Sequence, residues 1–233
     1  MALRLSSGLS DEEIESQIII TSGGTESNNI VLQQPKWDFI VSLSTEHHSV
    51  YFTVEHVTNA RPSCKVHYLS CDTTGRIPNE ALSVKGALVS LLSIGRFQFY
   101  VNPPFPMLRG NGVVSIMLIN NEIGTIQDIP SIGRIIQQVN KNRPQAGQIA
   151  LHCDAVQAPG HIWMDLSDTG NLGAVDFMSL SAHKFYGPKG VGLLYVRRNQ
   201  KGKNILPLLQ SIVFGGHQQE GWRSAPCLVI QKG

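Results

Sequence analysis

Short apolar runs alternate with segments of helical spacing along most of the chain. Each run is rich in Val, Ile and Leu and carries few charged residues inside it. Such continuous runs are typical of strands that are buried on both faces, as in parallel sheets with helical crossovers. The pattern predicts an α/β fold, a mainly parallel sheet sandwiched by helices, with helical segments at 79–88 and 129–142. The predicted strands lie within residues 16–24, 37–50, 64–77, 112–124, 148–160, 174–184 and 190–198.

Polar residues follow the ends of five of these predicted strands. Ligands of open α/β sheets bind at the carboxyl ends of the strands, so a recurrence on five strands indicates one shared pocket. The pairs are Thr25–Glu26, His47–His48, Asn120–Asn121, Asp154–Gln157 and His183–Lys184.

Residues 90–111 break the pattern, because they are apolar, aromatic and rich in proline. The run Asn-Pro-Pro-Phe-Pro at 102–106 is excluded from a sheet interior, since proline cannot donate to a strand ladder. We expect an anomalous insertion here, and two origins stay open. One is a translated, unspliced intron, which would also explain an aberrant tail at 225–233; the other is a lid loop.

Composition narrows the class of protein. A formal net charge of +2 gives no indication of a nucleic-acid surface, and no apolar run is long enough for a membrane span. The N-terminus is too acidic for a signal peptide. The cysteines show no zinc-site spacing, so we expect reduced thiols in a soluble cytoplasmic protein, with an organelle address left open. They are Cys64, Cys71, Cys153 and Cys227.

Lys184 and Asp154 are the first candidates for chemistry. By itself Lys184 is typical of a cation at a strand end, unless burial or a nearby cation lowers its pKa and makes it a nucleophile. Asp154 follows the run at 149–153, where it is either a helix N-cap or the partner of a cationic ring nitrogen. Pyridoxal phosphate enzymes need both groups, a lysine that binds the cofactor covalently and an acid that keeps its ring protonated.

The segment "TSGGTESNN" (21–29) resembles an anion site. Glycines allow the backbone to approach a ligand, and the helix that follows offers free N–H groups and a positive dipole to a phosphate. An ordinary glycine turn with a Thr or Ser cap is the alternative. His47 is a candidate for stacking on a cofactor ring, whereas Asn121 and Gln157 either bind a phenolic oxygen or satisfy turn backbone.

Six segments together resemble the cysteine desulfurase and selenocysteine lyase group of class V, fold-type I pyridoxal phosphate enzymes. The resemblance implies homodimers that remove sulfur or selenium from cysteine or selenocysteine and leave alanine, with pyridoxal 5'-phosphate as the cofactor. The segments occur in the order "TSGGTESNN", "TEHHSV", "SIMLINNEIGTIQDI", "HCDAVQAPG", "MSLSAHKFYGPKGVGLLYVRR" and "FGGHQQEGWRS".

The resemblance also implies roles for single residues. Lys184 would bind the cofactor covalently, Asp154 would pair with the ring nitrogen, and His47 would stack on the ring. Catalytic roles would fall to Lys184 and His47. The phosphate would be held by Gly24, Thr25, Ser181 and His183. Asn121 and Gln157 would contact the ring hydroxyl.

The chain also departs from the family pattern. The family match begins almost directly at the first strand, and "GGHQQEGWRS" continues into "APCLVIQKG". We therefore expect a residual N-terminal segment (1–15), a cofactor-binding large domain (16–224) and no small domain. None of the four cysteines matches the family's catalytic cysteine. Three hypotheses stay open: an active desulfurase or selenocysteine lyase, a catalytically silent cofactor-binding fragment, and an unrelated nucleotide-binding protein. The choice between sulfur and selenium is open as well.

Overall fold

The computed structural model describes residues 3–4, 10–79, 82, 108–197 and 209–212. Its centre is a seven-stranded sheet in the order β2-β9-β8-β6-β5-β3-β4. The strands of the described residues are β1 (Leu3–Arg4), β2 (Ile18–Thr21), β3 (Phe39–Leu43), β4 (Lys65–Leu69), β5 (Gly112–Met117), β6 (Ile149–Asp154), β7 (Met164–Asp165), β8 (Phe177–Ser181) and β9 (Gly192–Val196). The helices are α1 (Asp11–Glu15), α2 (Gly24–Leu32), α3 (His48–Ala60) and α4 (Ile129–Asn140), with short 3₁₀ turns at Gln145–Gly147 and Ala182–Lys184.

The strand pairing is mainly parallel, as the sequence predicts. Strands β4, β3, β5, β6 and β8 pair in parallel, whereas β9 is antiparallel to both β8 and β2. Because β2 and β8 both oppose β9, β2 points the same way as the parallel strands. Six strands therefore end at one edge of the sheet, and β9 begins there.

Helices cover both faces of the sheet, which confirms the predicted α/β class. The α4 segment buries Ile132 and Ile136 against a core that includes Leu151 of β6 and Met178 of β8. Helices α2 and α3 cover the other face, where Phe177 is fully buried. The central strands are buried along their whole length, so their near-continuous apolar sequences follow from this packing.

Each strand predicted from the sequence is present within its expected range, and the helix expected at 129–142 is α4. In the N-terminal segment, β1 pairs with β7 in a small separate sheet. Most of the helix expected at 79–88, most of the stretch 90–111 and the whole tail 225–233 lie outside the described residues.

A row of buried polar side chains crosses the sheet, and each lies two residues before the last residue of its strand. His152 is fully buried; its Nδ1 lies 2.8 Å from Oγ of Ser115, and its Nε2 lies 3.0 Å from Oγ of Ser179. Burial lowers the pKa of His152 from 6.5 to about 3, so the ring is neutral at physiological pH. Two hydroxyl partners satisfy it in that neutral form.

Replacing His152 with Gln is expected to flatten the acid side of the stability profile. The folded-state pKa lies below the unfolded one, so protonation favours the unfolded chain between pH 6.5 and about 3. In that window the free energy of unfolding of the wild type should fall by roughly 1.4 kcal/mol more per pH unit than that of His152→Gln. Urea unfolding across the pH range measures the slope. Replacing exposed His56 with Gln is the control. Equal slopes of the free energy of unfolding against pH for the wild type and His152→Gln would contradict the burial of a neutral His152.

Candidate cofactor-binding site

A cavity of about 310 Å³ opens at the edge where the parallel strands end. Its size lies at the lower end of the range of small-molecule sites. The lining contains all nine residues to which the family resemblance assigns cofactor-binding roles, although those roles stay predictions; Glu26, His48 and Asn120 of the strand-end pairs are not part of this lining. It consists of Gly24, Thr25, His47, Ser49, Met117, Asn121, Asp154, Val156, Gln157, Ser181, His183 and Lys184.

The start of α2 forms one wall of this cavity. Gly23 is the N-cap residue and provides no side-chain cap, so the backbone N–H groups of Gly24 and Thr25 receive no hydrogen bond from a cap side chain. Gly24 is buried, and a Cβ atom there would lie 2.5 Å from Cγ2 of Val156. Exposed Thr25 adds a hydroxyl beside these N–H groups. This wall can bind an anion such as a phosphate.

Asp154 is a buried carboxyl group on the cavity wall, with 2% of its surface exposed. Oδ2 accepts a hydrogen bond from Nδ2 of Asn28 at 2.8 Å, and Oδ1 accepts one from the backbone N–H of Val156 at 3.1 Å. Burial raises the pKa of Asp154, and these two hydrogen bonds offset part of that rise. A cation in the cavity would stabilise the ionised carboxylate further.

Lys184 lies on the cavity at the end of the 3₁₀ turn that follows β8. Its side chain is exposed, so the described residues do not supply the burial that the sequence analysis considered as one means of activating it. Neighbouring Ser181 is 2% exposed, and its Oγ lies 3.0 Å from Nδ1 of His183. The cavity therefore places a cation beside two further polar side chains.

The two candidate amides, Asn121 and Gln157, also line the cavity. Neighbouring Asn120 is engaged in the local turn, since its Oδ1 accepts the backbone N–H groups of Glu122 and Ile123. The second asparagine of the pair is the one that lines the cavity, and its cofactor contact stays a prediction.

His47 is the N-cap residue of α3, and its Nδ1 accepts the backbone N–H of Ser49 at 3.0 Å. Oγ of Ser49 lies 2.8 Å from the same nitrogen and accepts a bond from Asn28 at 2.9 Å. Sequence reasoning did not single out Asn28 or Ser49. The signal for Asn28 was its position four residues after Gly24, which puts both on one side of a helix.

Glu46 is a second carboxyl group that sequence reasoning did not single out. It is 7% exposed; Oε1 accepts the backbone N–H of Met117 at 2.7 Å, and Oε2 is buried with no partner among the described residues. Burial raises the pKa of Glu46 well above its usual range, and the negative charge of Asp154 raises it further. Beside Asp154, therefore, lies a carboxyl group that favours its neutral form.

We expect Glu46→Gln to gain stability relative to the wild type as the pH rises. The folded-state pKa is raised, so Glu46 costs stability once the pH exceeds its unfolded value of 4.5, and glutamine has no proton to lose. Urea unfolding between pH 4 and 9 gives the difference in the free energy of unfolding, with exposed Glu55→Gln as the control. A difference that is constant with pH would show that Glu46 ionises normally.

A family model described as "Aminotransferase class-V" matches residues 11–94 and 108–227. The chain belongs to the class-V aminotransferase family. This result confirms the family resemblance carried by the six sequence segments. The match to the class-V family omits residues 95–107, which lie inside the stretch 90–111.

Individual relatives agree with the class-V assignment. A cysteine desulfurase IscS of Clostridium botulinum is 33% identical over 228 residues, covering 95% of this chain and 46% of the relative. A solved NifS-like protein has a TM-score of 0.66 and 32% identity, over 90% of this chain and 48% of that one. A solved structure titled "SspA in complex with cysteine" has a TM-score of 0.65 and 28% identity, over 90% and 51%. The chain spans about half the length of the curated relatives it matches.

The described residues of this class-V chain lack two further features. No helix among them is long and apolar enough to cross a membrane. Within the same residues, His, Cys, Asp and Glu form no group that could hold a metal ion.

Proposed function

We propose that this chain binds pyridoxal phosphate in the cavity and removes sulfur from cysteine to leave alanine. The observation that carries the proposal is that Lys184, buried Asp154 and the start of α2 all line one cavity. An amine, a carboxylate and an anion site are the three groups that this cofactor requires. The family match supports the choice, because class-V enzymes use pyridoxal phosphate.

The residues present fit the cofactor. The start of α2 with Thr25, Ser181 and His183 would hold the phosphate, and the buried Asp154 carboxylate would be stabilised by a protonated ring nitrogen. When bound, the cofactor supplies an electron sink that stabilises carbanions of the amino acid. Four other lining residues would also contact the cofactor. Lys184 would bind it covalently, Asn121 and Gln157 would contact the ring hydroxyl, and His47 would stack on the ring.

The substrate class rests on the comparisons. The curated relatives reported above are cysteine desulfurases, and one structural neighbour is described in complex with cysteine. In the proposed reaction the carbon–sulfur bond of cysteine breaks, the sulfur passes to an acceptor thiol as a persulfide, and alanine leaves with a proton on its β-carbon. Cysteine and one thiol thus give alanine and one persulfide. Selenocysteine is the alternative substrate.

Cofactor binding without turnover is the second candidate function. Cys64 and Cys153 are buried, and burial raises the pKa of each thiol. Cys71 is half-buried and does not belong to the cavity lining in the described residues. The described thiols therefore favour an acceptor elsewhere, and without one the chain would bind the cofactor but release no sulfur.

The proposal includes a homodimer, which the family resemblance implies, and no nucleic-acid or membrane partner. Phe185, Tyr186 and Ile123 are exposed apolar side chains close in sequence to Lys184 and Asn121, a pattern that supports a protein contact near the site. A cytoplasmic location is part of the same proposal, and the free state of the described cysteines supports it.

Turnover of cysteine tests the proposal. The full chain is purified, loaded with pyridoxal phosphate and incubated with cysteine and excess dithiothreitol, and alanine and sulfide are measured. We expect equal amounts of both, with selenocysteine run in parallel to rank the two substrates. Visible cofactor absorbance without alanine would favour the silent cofactor-binding chain. Absence of both absorbance and alanine would contradict the whole proposal.

A further inference from the structure

A continuous chain of hydrogen bonds runs from Asp154 to His47 through two side chains that sequence reasoning did not single out. Nδ2 of Asn28 donates to Oδ2 of Asp154 at 2.8 Å and to Oγ of Ser49 at 2.9 Å. Oγ of Ser49 lies 2.8 Å from Nδ1 of His47. The chain crosses from the sheet to α2 and then to α3, so it joins three separate elements of the fold.

The bonding pattern determines where the protons lie in this chain. An amide nitrogen carries two hydrogens, and the two acceptors at Asn28 use both of them. The backbone N–H of Ser49 donates to Nδ1 of His47, so Nδ1 is an acceptor and the Ser49 hydroxyl donates to it as well. The neutral His47 ring then carries its proton on Nε2.

Burial makes this arrangement rigid. Asn28 is fully buried, and its Oδ1 has no hydrogen-bond partner among the described residues. An unpaired buried carbonyl is unfavourable, and turning the amide over would face that carbonyl with the Asp154 carboxylate. The amide therefore has one orientation, set by the two acceptors that it serves.

We propose that Asn28 and Ser49 are positioning residues that join the Asp154 carboxylate to the His47 ring and hold the two in one fixed relation. This inference rests on the proposed function, in which Asp154 and His47 meet the same cofactor ring. Asn28 fixes the carboxylate through Oδ2, and Ser49 fixes the histidine tautomer through Nδ1. A substitution of Asn28 or of Ser49 would therefore alter the positions of both Asp154 and His47 at the cofactor ring. The N-cap of α3 does not depend on these side-chain hydrogen bonds, because the His47 side chain caps the helix by accepting the backbone N–H of Ser49.

A double-mutant cycle with Ser49→Ala and Asn28→Leu tests the coupling. Ser49→Ala removes the hydroxyl and keeps the backbone N–H, whereas Asn28→Leu replaces the amide by an apolar group of similar size. The dissociation constant of pyridoxal phosphate, measured by titration of the apo-protein, should rise on the order of 5- to 10-fold in each single variant, because each change removes two hydrogen bonds of this network. The double variant should bind no more weakly than Asn28→Leu, because both changes break one chain. Thr58→Ala removes an exposed hydroxyl from the same helix and serves as the control.

Nitrogen NMR of the apo-protein gives a second readout that needs no cofactor. With ¹⁵N-labelled histidine and His47→Gln for assignment, the wild type should show the tautomer protonated on Nε2, and Ser49→Ala should change the Nδ1 resonance. A wild-type ring protonated on Nδ1, additive losses in the cycle, or unchanged affinity and resonance in Ser49→Ala would each overturn the inference. If Asn28→Leu does not fold, Ser49→Ala decides through affinity and resonance. If the wild type binds no cofactor, the proposed function fails while the NMR result still decides whether the chain of bonds exists.

Discussion

Replacing Lys184 with Ala is expected to remove the part of the visible absorbance that comes from covalently bound pyridoxal phosphate. Only a primary amine at this position can bind the cofactor covalently, and alanine leaves it with the anion site and Asp154 alone. Cysteine turnover should fall on the order of 10⁴-fold, because the lysine would also move protons during the reaction. Absorbance spectra and alanine release, recorded on the same preparation, measure both effects.

Lys141→Ala is the matched control for this variant. Lys141 is an exposed lysine at the end of α4 and does not line the cavity. It should leave the spectrum and the rate unchanged. A Lys184→Ala protein with the absorbance and turnover of the wild type would contradict the assignment of Lys184.

Replacing Asp154 with Asn is expected to reduce cysteine turnover on the order of 10²- to 10³-fold, the scale of one preorganised electrostatic contact. Asp154 is buried, so solvent screens its charge little, and the ionised carboxylate would stabilise a cationic ring nitrogen that faces it. Asparagine has a similar shape but no charge, and it cannot keep the ring nitrogen protonated. The dissociation constant of the cofactor is measured beside turnover, and turnover is recorded with the cofactor bound. A loss of turnover under that condition is not a weakening of cofactor binding.

Asp168→Asn provides the control for the carboxylate. Asp168 is a half-exposed residue whose nearest ion pair, with Arg197, measures 3.7 Å. Because Asp168 is half-exposed and does not line the cavity, that change should leave turnover within a factor of about 2. An Asp154→Asn protein with full activity would show that the carboxylate does not face the cofactor ring.

Much of the fold could be predicted from the sequence, because buried parallel strands have a simple signature. Runs such as "IALHCD" at 149–154 are apolar almost throughout, since helices cover both faces of the sheet. The antiparallel direction of β9 could not be predicted from its sequence. Its apolar sequence is that of a buried strand, and direction depends on the connection rather than on burial.

Nine of the lining residues could be predicted because they lie near the ends of strands, and parallel strands bring those ends to one edge. Residues that contact the lining from behind were harder to find. Asn28 lies inside α2 and has the sequence position of an ordinary helical asparagine; its partner Asp154 is 126 positions away. Glu46 stands beside His47 in the sequence, yet its burial depends on β5, which supplies the backbone N–H of Met117. Tertiary contacts of this kind are absent from local patterns.

Mapping the site of covalent attachment tests the central claim most directly. The full chain is loaded with pyridoxal phosphate, reduced with borohydride and digested, and the modified peptide is identified by mass spectrometry. In the wild type we expect the modification at Lys184. In Lys184→Ala, with free cofactor removed before reduction, we expect no modified peptide. Modification of the wild type at another lysine such as Lys189, or at none, would contradict the proposed site.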